Sequence, residues 1–137
     1  MKYILMLCGI LAMQNVGASD LKLEMQGTGL AGQMVLIALY TSAKDFPDGT
    51  ANVRKEKVLA TGDVVNFLIA GLPSGEYAVV AFADSNGNGK LDRNFVGRPT
   101  EAYGFSRNAR GLFGPPSFSD AAFRLSNDVT VMPIELR

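Results

Sequence analysis

Residues 72–92 read LPSGEYAVVAFADSNGNGKLD. Pro73 and Gly75 turn the chain. Ala78–Ala83 then forms a short apolar run with Val79, Val80 and Phe82, bounded by turn residues, the pattern of a buried strand. Tyr77 stands at its start. Its hydroxyl either bonds back to upstream backbone, as in the tyrosine corner of β-sandwiches, or the ring is simply half-buried core. The strand delivers the chain directly into Asp84.

Working outward, the flanking segments keep the strand period. Val58–Thr61 and Val64–Ala70 read as two short strands separated by Gly62-Asp63. The polar run 52–57 before them reads as an edge connection. Gln33–Thr41 is a longer strand with Val35, Ile37 and Leu39 on one face and Leu36, Ala38 and Tyr40 on the other, so it is expected to be central and covered on both sides. Leu21–Met25 alternates apolar and polar, with one buried face. Downstream, Arg93–Ser119 has no clear period and is studded with glycine and proline. It also carries Phe95, Tyr103, Phe105, Phe113 and Phe118, and disordered segments are poor in aromatics. An ordered excursion over one end of the domain is expected. Ala121–Leu125 and Val129–Leu136 close the chain as strands, and Pro133 places the last one at a sheet edge. About seven short strands without a helical period predict an all-β sandwich.

The first residues are set apart from this fold. Lys2 precedes an apolar run, Tyr3–Met13, and Val16-Gly17-Ala18 offers a small-residue cleavage site. That is the layout of a signal peptide over residues 1–18. The run is well short of the roughly 20 residues a membrane span needs. Leu7 before Cys8, where a small residue belongs, argues against lipidation. The expectation is an exported protein, periplasmic or extracellular, whose folded part is residues 19–137. Cys8, the one cysteine of the sequence, leaves with the leader, and there is no histidine. The 13 basic and 13 acidic residues balance, so no electrostatic footprint for nucleic acid is present.

The loop after the central strand carries the most specific pattern. Asp84, Asn86, Asn88, Gly89, Lys90 and Asp92 fit positions 1, 3, 5, 6, 7 and 9 of a calcium loop: side-chain oxygens from the first three, glycine at the sharp turn, the Lys90 carbonyl, then a carboxylate. Position 12 is Phe95, which cannot ligate, and the preceding element is a strand. The loop is therefore not an EF-hand. A closing carboxylate has to come from elsewhere, and Glu101 is the nearest downstream. With so few charges, Ca²⁺ affinity is expected at the weak end, on the order of 10⁻⁴ to 10⁻³ M. The same Asx and Gly residues also build turns that bond their own backbone, so a dry turn is the competing reading.

Without histidine or a retained cysteine, the usual nucleophile–base pairs are missing, and a non-enzymatic protein is expected. A hydrolase would have to use Glu101 with Asp92 or Asp120 as a carboxylate pair. Ser106, Ser117 and Ser119 sit near glycine and proline as ordinary turn residues. Arg93, Arg98, Arg107 and Arg110 cluster with aromatics in loop 93–119. Such a surface suits a carbohydrate or peptide ligand. Alternatively, the arginines pair with Glu101, Asp92 and Asp120 while the aromatics fill core.

From Leu72 to Phe123 the chain resembles the DUF2141 family of uncharacterised bacterial secreted proteins. The resemblance is carried by Asp84 with Asn86-Gly87-Asn88-Gly89-Lys90-Leu91-Asp92, by Gly97-x-Pro99-x-Glu101-x-Tyr103-Gly104-Phe105-Ser106, and by Pro115-Pro116-Ser117-Phe118-x-Asp120-Ala121. Ala83 stands where a histidine would be expected. The resemblance implies an exported, immunoglobulin-like or prealbumin-like sandwich. It implies no activity and no catalytic residues.

Overall fold

A computed structural model describes residues 18–49, 54–126 and 128–137. The signal peptide expected over residues 1–18 lies, apart from Ala18, outside the described residues. Among the described residues, eight strands, one 3-10 turn and a one-turn helix are arranged in the order β1 (Ala18–Gln26), β2 (Met34–Tyr40), β3 (Arg54–Leu59), β4 (Val64–Pro73), β5 (Gly75–Asp84), β6 (Tyr103–Phe105), the 3-10 turn Ser106–Asn108, α1 (Phe118–Ala121), β7 (Phe123–Leu125) and β8 (Val129–Glu135). They form a two-sheet β-sandwich. One sheet has the order β4-β1-β8. The other runs β3-β2-β5-β6, with β7 pairing the start of β5.

The alternation in the sequence decides what lies between the sheets. Leu21, Leu23 and Met25 of β1 are fully buried, and Val35, Ile37 and Leu39 of β2 meet them from the opposite sheet. Val79, Ala81 and Ala83 of β5 join the same core, with Met132, Ile134 and Leu136 from the C-terminal strand and its end. Each such large aliphatic side chain contributes about 1.5–3 kcal/mol by leaving water. The outward residues of β8, Val129, Val131 and Pro133, are exposed. Pro133 sits on an edge strand, as a residue without an amide hydrogen requires.

Several expectations shift. The polar run before Val58 is not a mere connection: Arg54–Leu59 is a strand, paired antiparallel with β2. Its charged side chains suit an edge, where water still reaches both faces. Leu72-Pro73, read as turn, belongs to the end of β4. Between Ile69 and Leu72 the register against β1 slips by one residue. Gly71 takes a φ of 73° there, and its amide donates to Asp20 Oδ1 at 3.1 Å. Glycine suits this bulge because a side chain disfavours positive φ. Ala121 ends a helical turn rather than starting a strand. Ser117 caps that turn by accepting from the Asp120 amide, which is the usual use of serine at an N-cap.

The excursion after the loop reaches the other sheet, where Asn108 and Arg110 bond to Glu135 of β8, and packs in part on the outer face of the five-stranded sheet. There Tyr40, Ala78, Val80, Phe105 and Ala121 form a second, smaller core. Phe46 is its hub, with ring centroids 5.6 Å from Tyr40, 5.9 Å from Phe105 and 5.9 Å from Phe118. These edge-to-face contacts add to simple burial. Ser106, fully buried, accepts from the Val79 amide and donates to the Ala121 carbonyl, tying α1 to the central strand. Arg137 and Tyr103 exchange both backbone hydrogen bonds. A Cβ on Gly104 would come within 2.3 Å of the Glu135 carbonyl oxygen, so only glycine lets β6 pass this close to the end of β8.

The chain changes sheets between β4 and β5. Tyr77 sits just past that crossing, buried, and its hydroxyl donates to the Pro73 carbonyl at 2.6 Å. This is the hydrogen bond of a tyrosine corner. Burial also raises the phenol above its ordinary pKa. The folded chain therefore favours the neutral phenol. That contribution is complete below the unfolded pKa, near 10, and is lost as pH climbs through the folded value. Tyr77→Phe is expected to lower stability by about 1 kcal/mol and to flatten the alkaline limb of the stability–pH profile, both read from urea unfolding.

Candidate functional site

Strand β5 ends at Asp84, whose side chain lies on the outer face of its sheet beside its cross-strand partner Met34. Asp84 is only 6% exposed. Its Oδ2 accepts from the Gly89 amide at 2.8 Å. Its Oδ1 is buried and has no hydrogen-bond partner. Burying a carboxylate oxygen in this way is costly unless something positive meets it.

The loop then winds on its own side chains. Asn86 Oδ1 accepts from the Asn88 amide at 3.3 Å, and Asn88 Oδ1 from the Lys90 amide at 2.9 Å. These are successive Asx turns, each bending the chain toward the next oxygen. Gly87 and Gly89 take φ of 72° and 75°. A Cβ at either would meet nothing within 4 Å. Backbone conformation, not space, is thus the reason for glycine at both positions. The Asp92 carboxylate closes the circuit. Its Oδ1 accepts from Asn88 Nδ2 at 2.7 Å, and its Oδ2 from Asn86 Nδ2.

Glu101 holds the two ends of the loop together. It is 7% exposed. Its Oε2 accepts from the Ser85 amide at 2.6 Å and from the Ser85 hydroxyl at 3.1 Å, and its Oε1 accepts from the Asp92 amide at 2.9 Å. Neighbouring backbone bonds run the same way: the Thr100 amide donates to the Asp92 carbonyl, and the Ala83 amide to the Ala102 carbonyl. The structure therefore brings Asp84, Asn86, Asn88, Lys90, Asp92 and Glu101 into one neighbourhood. Among the described residues, however, no three Asp, Glu, His or Cys side chains group tightly enough to hold a metal ion by themselves. Ser85 joins the site without any signal in the sequence: nothing in its type or spacing marks it as the residue that Glu101 grips.

The remaining candidates disperse. Phe95 sits fully exposed beyond the loop, on a small reverse turn closed by the Arg93–Pro99 bridge and by the Asn94 side chain. Asp120 is exposed in the first turn of α1. The arginines do not pair with Glu101, Asp92 or Asp120. Arg93 donates to the Gly97 carbonyl, Arg107 to Ala122, and Arg110 to both Tyr103 and Glu135. Arg110 also lies 4.8 Å from the centre of the Tyr103 ring, a cation–π distance. Ala83, at the position of the expected histidine, packs in the main core.

Glu101→Gln replaces one of the two acceptors with an amide nitrogen that faces an N–H. The expected cost is about 1–3 kcal/mol. It should be accompanied by faster hydrogen exchange at the Ser85 and Asp92 amides while β1 and β4 stay protected, as measured by NMR.

Residues 28–132 match the family described as "Uncharacterized protein conserved in bacteria (DUF2141)", and the chain belongs to that family. No curated protein matches it.

Proposed function

We propose that this DUF2141 protein is an exported, non-enzymatic β-sandwich that takes up a calcium ion weakly in the loop between Asp84 and Asp92. The donors are the Asp84 and Asp92 carboxylates, the amide oxygens of Asn86 and Asn88, and the Lys90 carbonyl. Glu101 acts as the brace that holds the ends of the loop at the right separation, since its oxygens already receive the Ser85 and Asp92 amides.

The observation that carries this reading is Asp84 Oδ1, a buried carboxylate oxygen with no hydrogen-bond partner at the head of an oxygen-rich loop. A hard cation with oxygen ligands is the partner such an atom calls for. The two asparagine amides that now face Asp92 supply positive ends where the ion's charge would act, so both must turn over to offer oxygen. That exchange, and the small number of charges, keep the affinity low. The proposal of a non-catalytic role rests on Glu101 being fully engaged by N–H and O–H groups rather than free for acid–base work.

Titration of the chain from residue 19 with CaCl₂ by calorimetry should give one site with Kd on the order of 10⁻⁴ to 10⁻³ M. At tenfold saturation the melting temperature should rise by several degrees, from a stabilisation of about 1.4 kcal/mol. Asp84→Ala should remove both responses. No heat and no shift at 10 mM Ca²⁺, a concentration about ten times the weaker Kd, would leave the loop as a dry Asx turn.

A second reading is favoured by the tips of the 93–119 segment. Phe95, Leu112 and Phe113 are 100%, 94% and 103% exposed. Leu112 and Phe113 border a cleft shared with Arg93, Arg98 and Tyr103. Exposed aromatics beside arginines suit a carbohydrate or peptide ligand. On a glycan and peptide array, Phe113→Ala is expected to abolish whatever signal the unaltered protein gives, and Asp84→Ala to leave it intact.

A further inference from the structure

Among the described residues, the outer face of the five-stranded sheet is covered over only part of its area. Its cross-strand register sets out two rows. One runs Phe105, Val80, Ala38, Lys55; the next runs Tyr103, Phe82, Leu36, Lys57. The Phe46 cluster covers the Tyr40 end of this face. Toward Leu36 and Phe82, both half-buried, the face opens into a cleft of about 390 Å³ whose floor includes Leu36, Ala38, Val80, Phe82 and Phe105. That volume lies in the range of small-molecule sites, which are concave and mostly apolar with a few polar groups at the margin.

The margin is cationic. Lys55 borders the cleft from β3, and Lys90 and Arg93 border it from the loop. The two lysines form no ion pair among the described residues, where the pairs are Lys22–Glu24, Arg54–Glu56 and Arg137–Glu135. Glu56 does not neutralise Lys55. Its cross-strand partner is the core-facing Ile37, so it points to the other side of the sheet, where Arg54 Nε holds it at 2.6 Å. Among the described residues, Asp48 is the other carboxylate that borders the cleft, against three cations.

We propose that this cleft is a binding site for a small amphipathic anion, with an apolar or aromatic body lying on the Leu36–Phe82 floor and a carboxylate, sulfonate or phosphate among Lys55, Lys90 and Arg93. The floor supplies area-dependent affinity, and the cations select the sign of the head group. A neutral molecule of the same shape gains only the first. The groups proposed to meet the anion are the side chains of Lys55, Lys90 and Arg93, none of which is a proposed calcium donor, so the site does not require an ion in the loop.

The test uses two dyes that share an arylaminonaphthalene body, in EDTA so that loop occupancy plays no part. Anilinonaphthalene sulfonate carries the anion; N-phenyl-1-naphthylamine does not. The sulfonate dye should bind one saturable site on the natively folded chain, and the neutral dye about tenfold more weakly, the difference expected for one charge-assisted contact. Lys55→Glu should weaken the sulfonate dye by at least about as much, and Ala38→Phe should fill the floor and exclude both dyes. Lys22→Glu, on the opposite sheet, should change nothing. Equal affinity for the two dyes, equal behaviour of Lys55→Glu and Lys22→Glu, or no saturable binding would each overturn the assignment. Circular dichroism of each variant separates a lost site from a lost fold.

Discussion

One carboxylate, that of Glu101, holds the structured rim of this molecule in place. It grips the backbone of Ser85 just after β5 and of Asp92 at the far side of the loop. The loop between them has little apolar surface of its own to bury. Its shape is instead held by charge-assisted bonds to a buried acceptor, which are stronger than neutral ones. The segment downstream of Glu101 depends on the same anchor. Ala102 pairs with Ala83, which aligns Tyr103–Phe105 as the next strand and sets the register in which Phe105 reaches Phe46.

The sandwich was largely legible in the sequence because its strands have distinct faces. Leu21, Leu23 and Met25 alternate with charged residues, and only one side of such a strand can be buried. β5 was legible for the opposite reason: a run with no polar interruption has to be central. Where sequence and structure diverge, tertiary pairing outweighs local pattern. Arg54–Lys57 has no apolar face, yet becomes a strand because β2 offers it an unpaired edge. Ala121 looks like strand but is drawn into a helical turn by the Ser117 cap and by Ser106.

The candidate site was legible to a lesser extent. The spacing of Asp84, Asn86, Asn88 and Asp92 foretold a loop that turns on its own oxygens, because Asx and Gly act locally. It could not foretell that Glu101 would spend both oxygens on backbone, nor that Arg93, Arg107 and Arg110 would seek carbonyls instead of carboxylates. Those outcomes depend on which chain segments meet. The cleft was not visible at all: β2 reads as covered on both faces, and only the fold shows that among the described residues the cover stops short of Leu36 and Phe82.

The three-stranded sheet has a further consequence. Its middle member is the first strand, flanked by β4 on one side and, in parallel, by the last strand on the other. Leu21 lies opposite Thr130, so closing this sheet joins segments nearly the whole chain apart. Such distant pairings carry a large loop-closure cost before they return any burial, and they slow folding. A nascent chain of this topology cannot complete its hydrophobic interior until synthesis has reached β8, and until then its N-terminal strand remains half-paired and open.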